Sequence, residues 1–363
     1  MLVFLRHAAY PIYQDHGEIL SVGDWDLAIP LLNGWMGVDL FFVLSGFLIT
    51  HHLIRRWPEK FNRSFAGRYW LKRVLRTFPA FYAAVLIALF ALVPFFDPGV
   101  DDRRSSLTIH FLFLQDYLGS DLVAAFWSLG VEEKFYLLCP AVLLGLRNVS
   151  TTRRFQILVF LALLPAALRF FIALGSTAEL FNYPAFFWTV RSPFHLAMDG
   201  LWVGVICALV YKDKETLLKN RDTLAHWMSL VSLAVIFVLM FSFAWFDHLH
   251  FLASTLVLNA ISISFGGLLI SVCIGRTPVS GVLRWRWLRI LSVLAYSIYL
   301  MHMMFVPWSL EVTSAMLGEM EIGPFLNFLV FLPVYALMSL AGGMLLHFSV
   351  EKPFLILKDR VRI

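Results

Sequence analysis

Gly34-Trp-Met-Gly-Val-Asp-Leu-Phe-Phe-Val-Leu-Ser-Gly-Phe-Leu-Ile-Thr-His-His-Leu-Ile54 is apolar almost throughout and long enough for a helix to cross a hydrocarbon core, yet it carries a carboxylate, Asp39, in its first third. Length makes it a membrane span. The acid makes it more than an anchor, because an ionisable group in hydrocarbon has to pair with another group or face a polar cavity.

Similar apolar runs recur along the chain, at about 77 to 96, 155 to 175, 193 to 211, 224 to 246, 251 to 274, 288 to 308 and 322 to 349. A weaker span near 126 to 146 holds Glu132, Glu133 and Lys134 in its first third. Leu107 to Leu118 is too short to cross and reads as interfacial or re-entrant, and Met1 to Tyr10 reads as the last turns of a first helix. The expected fold is therefore all-α: a polytopic membrane bundle of about ten transmembrane helices, the first truncated, forming one domain over 1–363 with no appended soluble domain. Composition agrees. Of the 363 residues 60% are hydrophobic and only 15% charged, with a mean hydropathy of +0.77, more apolar surface than a soluble domain can bury.

A formal charge of +5 and a pI near 9.1 invite a nucleic-acid reading, but the basic residues sit in loops between spans, which is a topology signal. Of the 29 Lys and Arg, 23 fall on one side of the bundle: Arg55 to Arg76, Arg147 to Arg154, Lys212 to Arg221, Arg276 to Arg289 and Lys352 to Arg362. The positive-inside rule makes that side the cytoplasm and places both termini there. Loops 11 to 33, 97 to 125, 176 to 192, 247 to 250 and 309 to 321 then face outward, with Asp97, Asp101, Asp102, Glu311, Glu319 and Glu321 among their residues. The expected location is a bacterial inner membrane. Cys139, Cys207 and Cys273 are isolated in apolar runs and argue for neither disulfides nor a metal. The sequence has no phosphate-binding loop, internal repeat, low-complexity tract or signal-peptide pattern.

At the outer ends of the expected helices gather His7, Asp39, Glu132 with Glu133, and Asp199 near His195. Their recurrence at one depth fits a polar cavity. A histidine beside a carboxylate deprotonates hydroxyls, because imidazole titrates near neutrality and the acid fixes its tautomer. His7 with Glu132 or Asp39 is such a candidate pair, although simple polar contacts between helices account equally for these residues. At the opposite face Arg68, Lys72, Arg73 and Arg76 precede Pro79, and Arg73 and Arg76, three apart on a helix, suit a phosphate or pyrophosphate. Contact with anionic lipid heads is the competing explanation. Most of the 35 Phe, 12 Trp and 11 Tyr must face lipid, so Trp35, Trp127 and Trp202 read first as interface anchors. His51, His52, His110 and His347 are discounted individually, whereas His302 gains from Tyr296 and Tyr299 in the same helix.

Six segments together resemble the integral-membrane acyltransferase family 3, in the order that family shows: Gly37 to Ile49, Lys72-Arg-Val-Leu-Arg-Thr-Phe-Pro79, Trp127-Ser-Leu-Gly-Val-Glu-Glu-Lys-Phe-Tyr136, Met198-Asp-Gly-Leu-Trp-Val-Gly204, Ala295-Tyr-Ser-Ile-Tyr-Leu-Met-His302 and Val350-Glu-Lys-Pro-Phe354. The resemblance covers essentially the whole chain. It implies ten core helices and transfer of an acyl group, often acetyl, from cytoplasmic acyl-CoA to a hydroxyl of an outward-facing or lipid-linked glycan. By the same resemblance His7 matches the first-helix base, Arg73 and Arg76 match the paired arginines near the CoA end, and Glu132 matches the acid of the Trp-Ser-Leu motif; Lys72, beside the arginines, is a further candidate to hold CoA. Trp127, Ser128, Tyr136, Asp199, Tyr296 and His302 are further substrate or structural polar residues.

One departure concerns the family's arginine about ten positions before its first-helix histidine. Here only six residues precede His7, and Arg6 adjoins it. A helix of about 10 residues spans only about 15 Å and cannot cross a core near 30 Å, so a start upstream of Met1 is expected. The esterase-like domain of some relatives is absent from the sequence.

The expected mechanism has His7, oriented by Glu132 or Asp39, take a proton from a sugar hydroxyl that attacks the thioester, with Ser45, Ser128 and His7 as conceivable acyl carriers. The acceptor class spans lipopolysaccharide, capsule, exopolysaccharide, peptidoglycan and small glycosides. Membrane lipid and polysaccharide-assembly proteins are the other expected partners, and neither nucleic acid nor a metal is. The rival class is a secondary transporter or flippase using the same carboxylates for proton coupling, and an inactive scaffold of polysaccharide assembly is a third.

Overall fold

A computed structural model describes residues 1–23, 25–56, 63–175, 183–218, 221–241, 253–318, 320 and 322–361. Lys60, Lys219, Glu319, Glu321 and Arg362, with much of loop 176 to 192 and all of 247 to 250, lie outside them. The longer helices, in chain order, are α1 (Leu2–His16), α2 (Gly37–Arg56), α3 (Arg63–Leu89), α4 (Arg103–Phe111), α5 (Trp127–Gly145), α6 (Thr151–Gly175), α7 (Asp199–Leu218), α8 (Asp222–Phe241), α9 (Leu258–Ile274), α10 (Arg286–Met301), α11 (Val306–Leu317), α12 (Pro324–Leu346) and α13 (Lys352–Arg360). Among the described residues the strands are confined to one small hairpin, Ser21–Val22 with Trp25–Asp26. The protein is an all-α, multi-pass membrane bundle. Among the described residues six helical stretches are long and apolar enough to cross a membrane: Ile29–Arg55, Thr151–Gly175, Asp222–Phe241, Thr255–Ile274, Arg286–Leu317 and Pro324–Arg360.

Several boundaries differ from the sequence reading, each for a local reason. The run at 193 to 211 starts with a short turn, Phe194–Ala197, capped by Pro193 and ending at Met198; the long helix α7 begins at Asp199 and continues to Leu218. Residues 309 to 317, read as loop, belong to α11, which restarts after a 3-10 turn at His302–Phe305 with Pro307 in its first turn. Beyond Leu346 the chain continues through a wide π turn, His347–Glu351, into α13. The first helix runs past Tyr10 to His16 and closes on Gly17, whose φ of 76° is a left-handed cap. Pro11 lies inside it and has no N–H to give the carbonyl of His7, four residues back.

The chain divides into two compact units. The first, Met1–Trp35, Pro58–Phe126 and Arg286–Ile363, centres on α12, against which α1, α10 and α11 pack. Close approach needs small residues: a Cβ at Gly343 would come within 2.6 Å of Ile298 Cγ1, and one at Gly34 would overlap the Leu2 carbonyl. The His347–Glu351 turn and α13 lie against α3.

The second unit, Met36–Trp57 and Trp127–Trp285, is organised by α7 running along α2. Gly46 faces the Leu201 backbone, Gly204 faces the Val43 carbonyl and the Phe47 nitrogen, and Gly200 faces Phe42 and the Asp39 carbonyl. Residue numbers rise together on both helices, so they run parallel. α5 also runs parallel to α2, since Ser45 reaches Glu132 and, further along both helices, Thr50 reaches Cys139. In hydrocarbon, helices associate through such tight backbone contact and through interhelical hydrogen bonds rather than through the hydrophobic effect.

Gly204→Ala and Gly46→Ala should each lower the stability of the detergent-solubilised protein by about 1–3 kcal/mol, the usual cost of overpacking. Gly67→Ala, on α3 with open space around it, should be neutral or slightly stabilising, because alanine is the better helix former. Thermal unfolding of the three variants side by side is the check; equal behaviour would remove the glycine contact from the account.

Candidate active site

In the first unit His7 projects from α1 into an aromatic neighbourhood. Its ring lies 5.2 Å, centroid to centroid, from His302, which in turn neighbours Tyr299 at 5.7 Å. Phe4, one turn earlier on α1, stacks on Tyr335 at 4.4 Å. Arg6 turns away from His7, donating to the Leu32 carbonyl and lying over the Tyr10 ring. His302 Nδ1 donates to the Tyr299 carbonyl at 2.7 Å when the ring is neutral, so the proton sits there and Nε2 carries the lone pair. That Nε2 is buried with no hydrogen-bond partner among the described residues, a spare acceptor one ring away from His7.

The two tyrosines of the Ala295–His302 motif reach opposite ways. Tyr296 donates to the Thr77 carbonyl at 2.8 Å and Tyr299 to the Ala125 carbonyl at 2.7 Å. Thr77 in turn donates to the carbonyl of Arg73, so α10 is tied to the basic stretch of α3. Arg73 is half-buried with its guanidinium 5.7 Å above the Tyr69 ring, Lys72 is half-buried and Arg76 is exposed. Ser297 of the same motif donates to Glu351 at 2.6 Å, and Glu351 also holds His347 Nδ1 at 2.8 Å. Two of the resembling segments, Ala295–His302 and Val350–Phe354, thus bind one another directly.

In the second unit Asp39 sits in the first turn of α2 and Asp199 begins α7, helix N-termini where exposed N–H groups favour a negative charge. Both are fully buried and both are paired with arginine. Arg191 grips Asp39 with two parallel hydrogen bonds, 2.9 Å to Oδ1 and 2.6 Å to Oδ2. Arg169 reaches Asp199 Oδ2 at 3.1 Å, the Thr255 carbonyl at 3.2 Å, the Leu196 carbonyl and Asn259 Oδ1. Asn259 is oriented by donating to the Ala162 carbonyl. Glu132, one and a half turns into α5, accepts from Tyr136 at 2.6 Å and from Ser45 at 3.4 Å. Trp127, Ser128 and Glu133 are buried beside it on the same helix.

His7, Arg73, Arg76, Lys72, Tyr296 and His302 therefore belong to one unit, and Asp39, Glu132, Trp127, Ser128, Tyr136 and Asp199 to the other. The structure ties Glu132 to Tyr136 and Asp39 to Arg191. The sequence reading overlooked Arg169 and Arg191, although a lone arginine in or beside an apolar run is a signal of a buried partner. It also set aside His347 and left Glu351 without a role; their spacing, i to i+4 on one helical face, was the available clue.

The segment 97 to 125 holds a further cluster outside the membrane-spanning segments. Asp102 caps α4 by accepting from the Arg104 N–H. His110 is completely buried, with Nδ1 2.8 Å from the Ser106 carbonyl and Nε2 2.9 Å from Ser120 Oγ. Ser106 donates to Asp121. Burial lowers the pKa of His110, with the Ser106 carbonyl and Asp121 opposing that shift.

Residues 1–348 match the family model for an acyltransferase domain. A Bacillus subtilis protein named "Putative peptidoglycan O-acetyltransferase YrhL" is 28% identical over 304 residues, 78% of this chain and 46% of its own. The Listeria monocytogenes "Peptidoglycan O-acetyltransferase OatA" is 33% identical over 126 residues, 31% of this chain and 20% of its own. The chain thus spans half or less of the length of these relatives. No solved structure matches it.

A folded-state pKa below the ordinary 6.5 means that neutral His110 stabilises its loop above about pH 6.5, and that this contribution is lost as the pH falls toward the lowered value. Protease nicking of 97 to 125 should therefore accelerate between pH 7 and pH 5 in the parent and lose that pH dependence in His110→Gln. A pH-independent nicking rate in the parent would show that His110 does not set the loop's stability.

Proposed function

Because the chain belongs to the acyltransferase-domain family, matched over residues 1–348, we propose that it is a membrane-embedded O-acyltransferase that moves an acyl group, acetyl in the first instance, from acyl-CoA to a hydroxyl of a cell-envelope glycan. The family match carries this reading. The names of the two relatives, "Putative peptidoglycan O-acetyltransferase" and "Peptidoglycan O-acetyltransferase", support a glycan acceptor, with peptidoglycan ahead of lipopolysaccharide, capsule or exopolysaccharide. The proposed setting is a bacterial inner membrane with both termini cytoplasmic, which rests on the concentration of Lys and Arg in one set of loops. Polysaccharide-assembly proteins are proposed partners.

In the proposed chemistry His7 takes the proton of an acceptor hydroxyl, whose oxygen attacks the thioester carbonyl. The C–S bond then breaks, and the proton passes to the departing thiolate. The spare acceptor nitrogen of His302, one ring from His7, offers a second polar group with which an alcohol can be aimed. Glu132, already engaged by Tyr136 and Ser45, is fixed in one position and fits a positioned acid more than a mobile one. Arg73, Arg76 and Lys72 present cationic groups on one helix, suited to the phosphates of an acyl-CoA. Asp39, with both oxygens held by Arg191, fits an electrostatic and positioning part in place of the base partner that sequence alone offered.

Membranes bearing the protein, supplied with radiolabelled acetyl-CoA and a peptidoglycan acceptor, should label the glycan. His7→Ala should reduce that rate at least about 100-fold, the usual contribution of a general base. Arg73→Ala with Arg76→Ala should raise the KM for acetyl-CoA about tenfold or more, as expected when charge-assisted contacts to phosphate are lost. Parental rates in His7→Ala would remove His7 as the base, and label accumulated in vesicles without product would overturn the enzyme reading in favour of transport.

A further inference from the structure

Arg191 draws three elements of the second unit to one point. Its guanidinium forks onto both oxygens of Asp39 on α2, at 2.9 and 2.6 Å. The same group lies 5.5 Å over the ring of Trp127, the first residue of α5. Arg191 itself ends a π-helical turn, Phe187–Arg191. Trp127 is boxed by edge contacts from Phe42 of α2 at 5.8 Å and from Phe187, which opens that turn, at 5.4 Å. Arginine is 3% exposed here and aspartate 0%, so neither charge has water to fall back on, and the fork geometry sets their separation and angle together. Wide π turns cost helical hydrogen-bond geometry and recur at functional sites.

Downstream of this clamp, on the same two parallel helices, lies Glu132. Ser45 of α2 reaches it six residues beyond Asp39, and Glu132 follows Trp127 by five. A shift of α2 against α5 at the clamp carries directly to the Ser45–Glu132 contact. We propose that Arg191 is a positioning residue for the transfer reaction: by holding Asp39 and Trp127 at once it sets the register of α2 against α5, and through it the placement of the Glu132 carboxylate. This rests on the acyl-transfer reading above. It assigns Asp39 a part played through Arg191 and not as a proton carrier.

The structure supplies a reporter of that register that needs no activity. Thr50 Oγ1 and Cys139 Sγ are 3.8 Å apart, near the far ends of the same helix pair. In a Thr50→Cys protein, with Cys207 and Cys273 replaced by alanine, the rate of oxidative cross-linking between positions 50 and 139 reads the alignment of α2 with α5. Arg191→Lys keeps the charge but cannot fork, so it should slow the cross-link severalfold and, in the protein with native cysteines, lower kcat about 10- to 100-fold with KM for acetyl-CoA within about threefold, as small misplacements of a catalytic group do. Asp39→Asn should show the same split, and the double variant Asp39→Asn with Arg191→Gln should be no worse than either single change, since one clamp is removed once.

Cross-linking that is unchanged in Arg191→Lys overturns the proposal, as does slowed cross-linking with kcat unchanged. So does an inactive Asp39→Asn beside a fully active Arg191→Lys, the pattern of a carboxylate that transfers protons itself. If the parent protein transfers no acetyl group but Arg191→Lys still slows the cross-link, the register-setting part stands and the acyl-transfer reading fails.

Discussion

A charge placed in hydrocarbon has to find its opposite, and that constraint organises the second unit. Two arginines and two aspartates are buried there, and each arginine is matched to one carboxylate. The pairs differ in character. Arg169 spreads its hydrogen bonds over a carboxylate, two backbone carbonyls and an amide, filling the polar needs of several helix ends. Arg191 sets its fork on both oxygens of Asp39 and turns its face to Trp127. A buried ion pair adds little net stability relative to a well-packed apolar alternative, but breaking one half of it is costly. Such pairs therefore fix arrangement more than they add strength.

The first unit meets a related need largely with hydroxyl donors. Tyr296 and Tyr299, three residues apart on α10, cap backbone carbonyls at Thr77 and Ala125. Ser297 and His347 share Glu351. In a bilayer water does not satisfy the polar groups of helix ends and turns, and here hydroxyls of α10 add donors to carbonyls and a carboxylate of neighbouring segments. The motif that joins these residues is thus a set of cross-helix donors.

Run length and apolarity alone made the all-α membrane bundle legible, since a 20-residue apolar stretch admits few other structures. Boundaries were less legible: a break at Met198 splits one apolar run, and Pro307 lies in the first turn of a helix whose later residues hydropathy read as loop. The identity of the polar residues was legible too; their partners were not. Asp39 stood out in its apolar run, but Arg191 lies 152 residues away in sequence, and no local pattern links the two. Six basic residues fall outside the Lys- and Arg-rich loops, among them Arg169 and Arg191; counting the exceptions to the charge rule, and not only its followers, would have marked both. Gly46, Gly200 and Gly204 were quoted only as letters of motifs, and their meaning, backbone against backbone, needs the third dimension.

That glycine contact also limits how the molecule can move. With the main chains of α2 and α7 touching at Gly46 and Gly204, a slide of one helix by a single residue would drive a side chain into a peptide group. The two helices are therefore keyed against sliding along one another, and any displacement along their axes first requires the main chains to part.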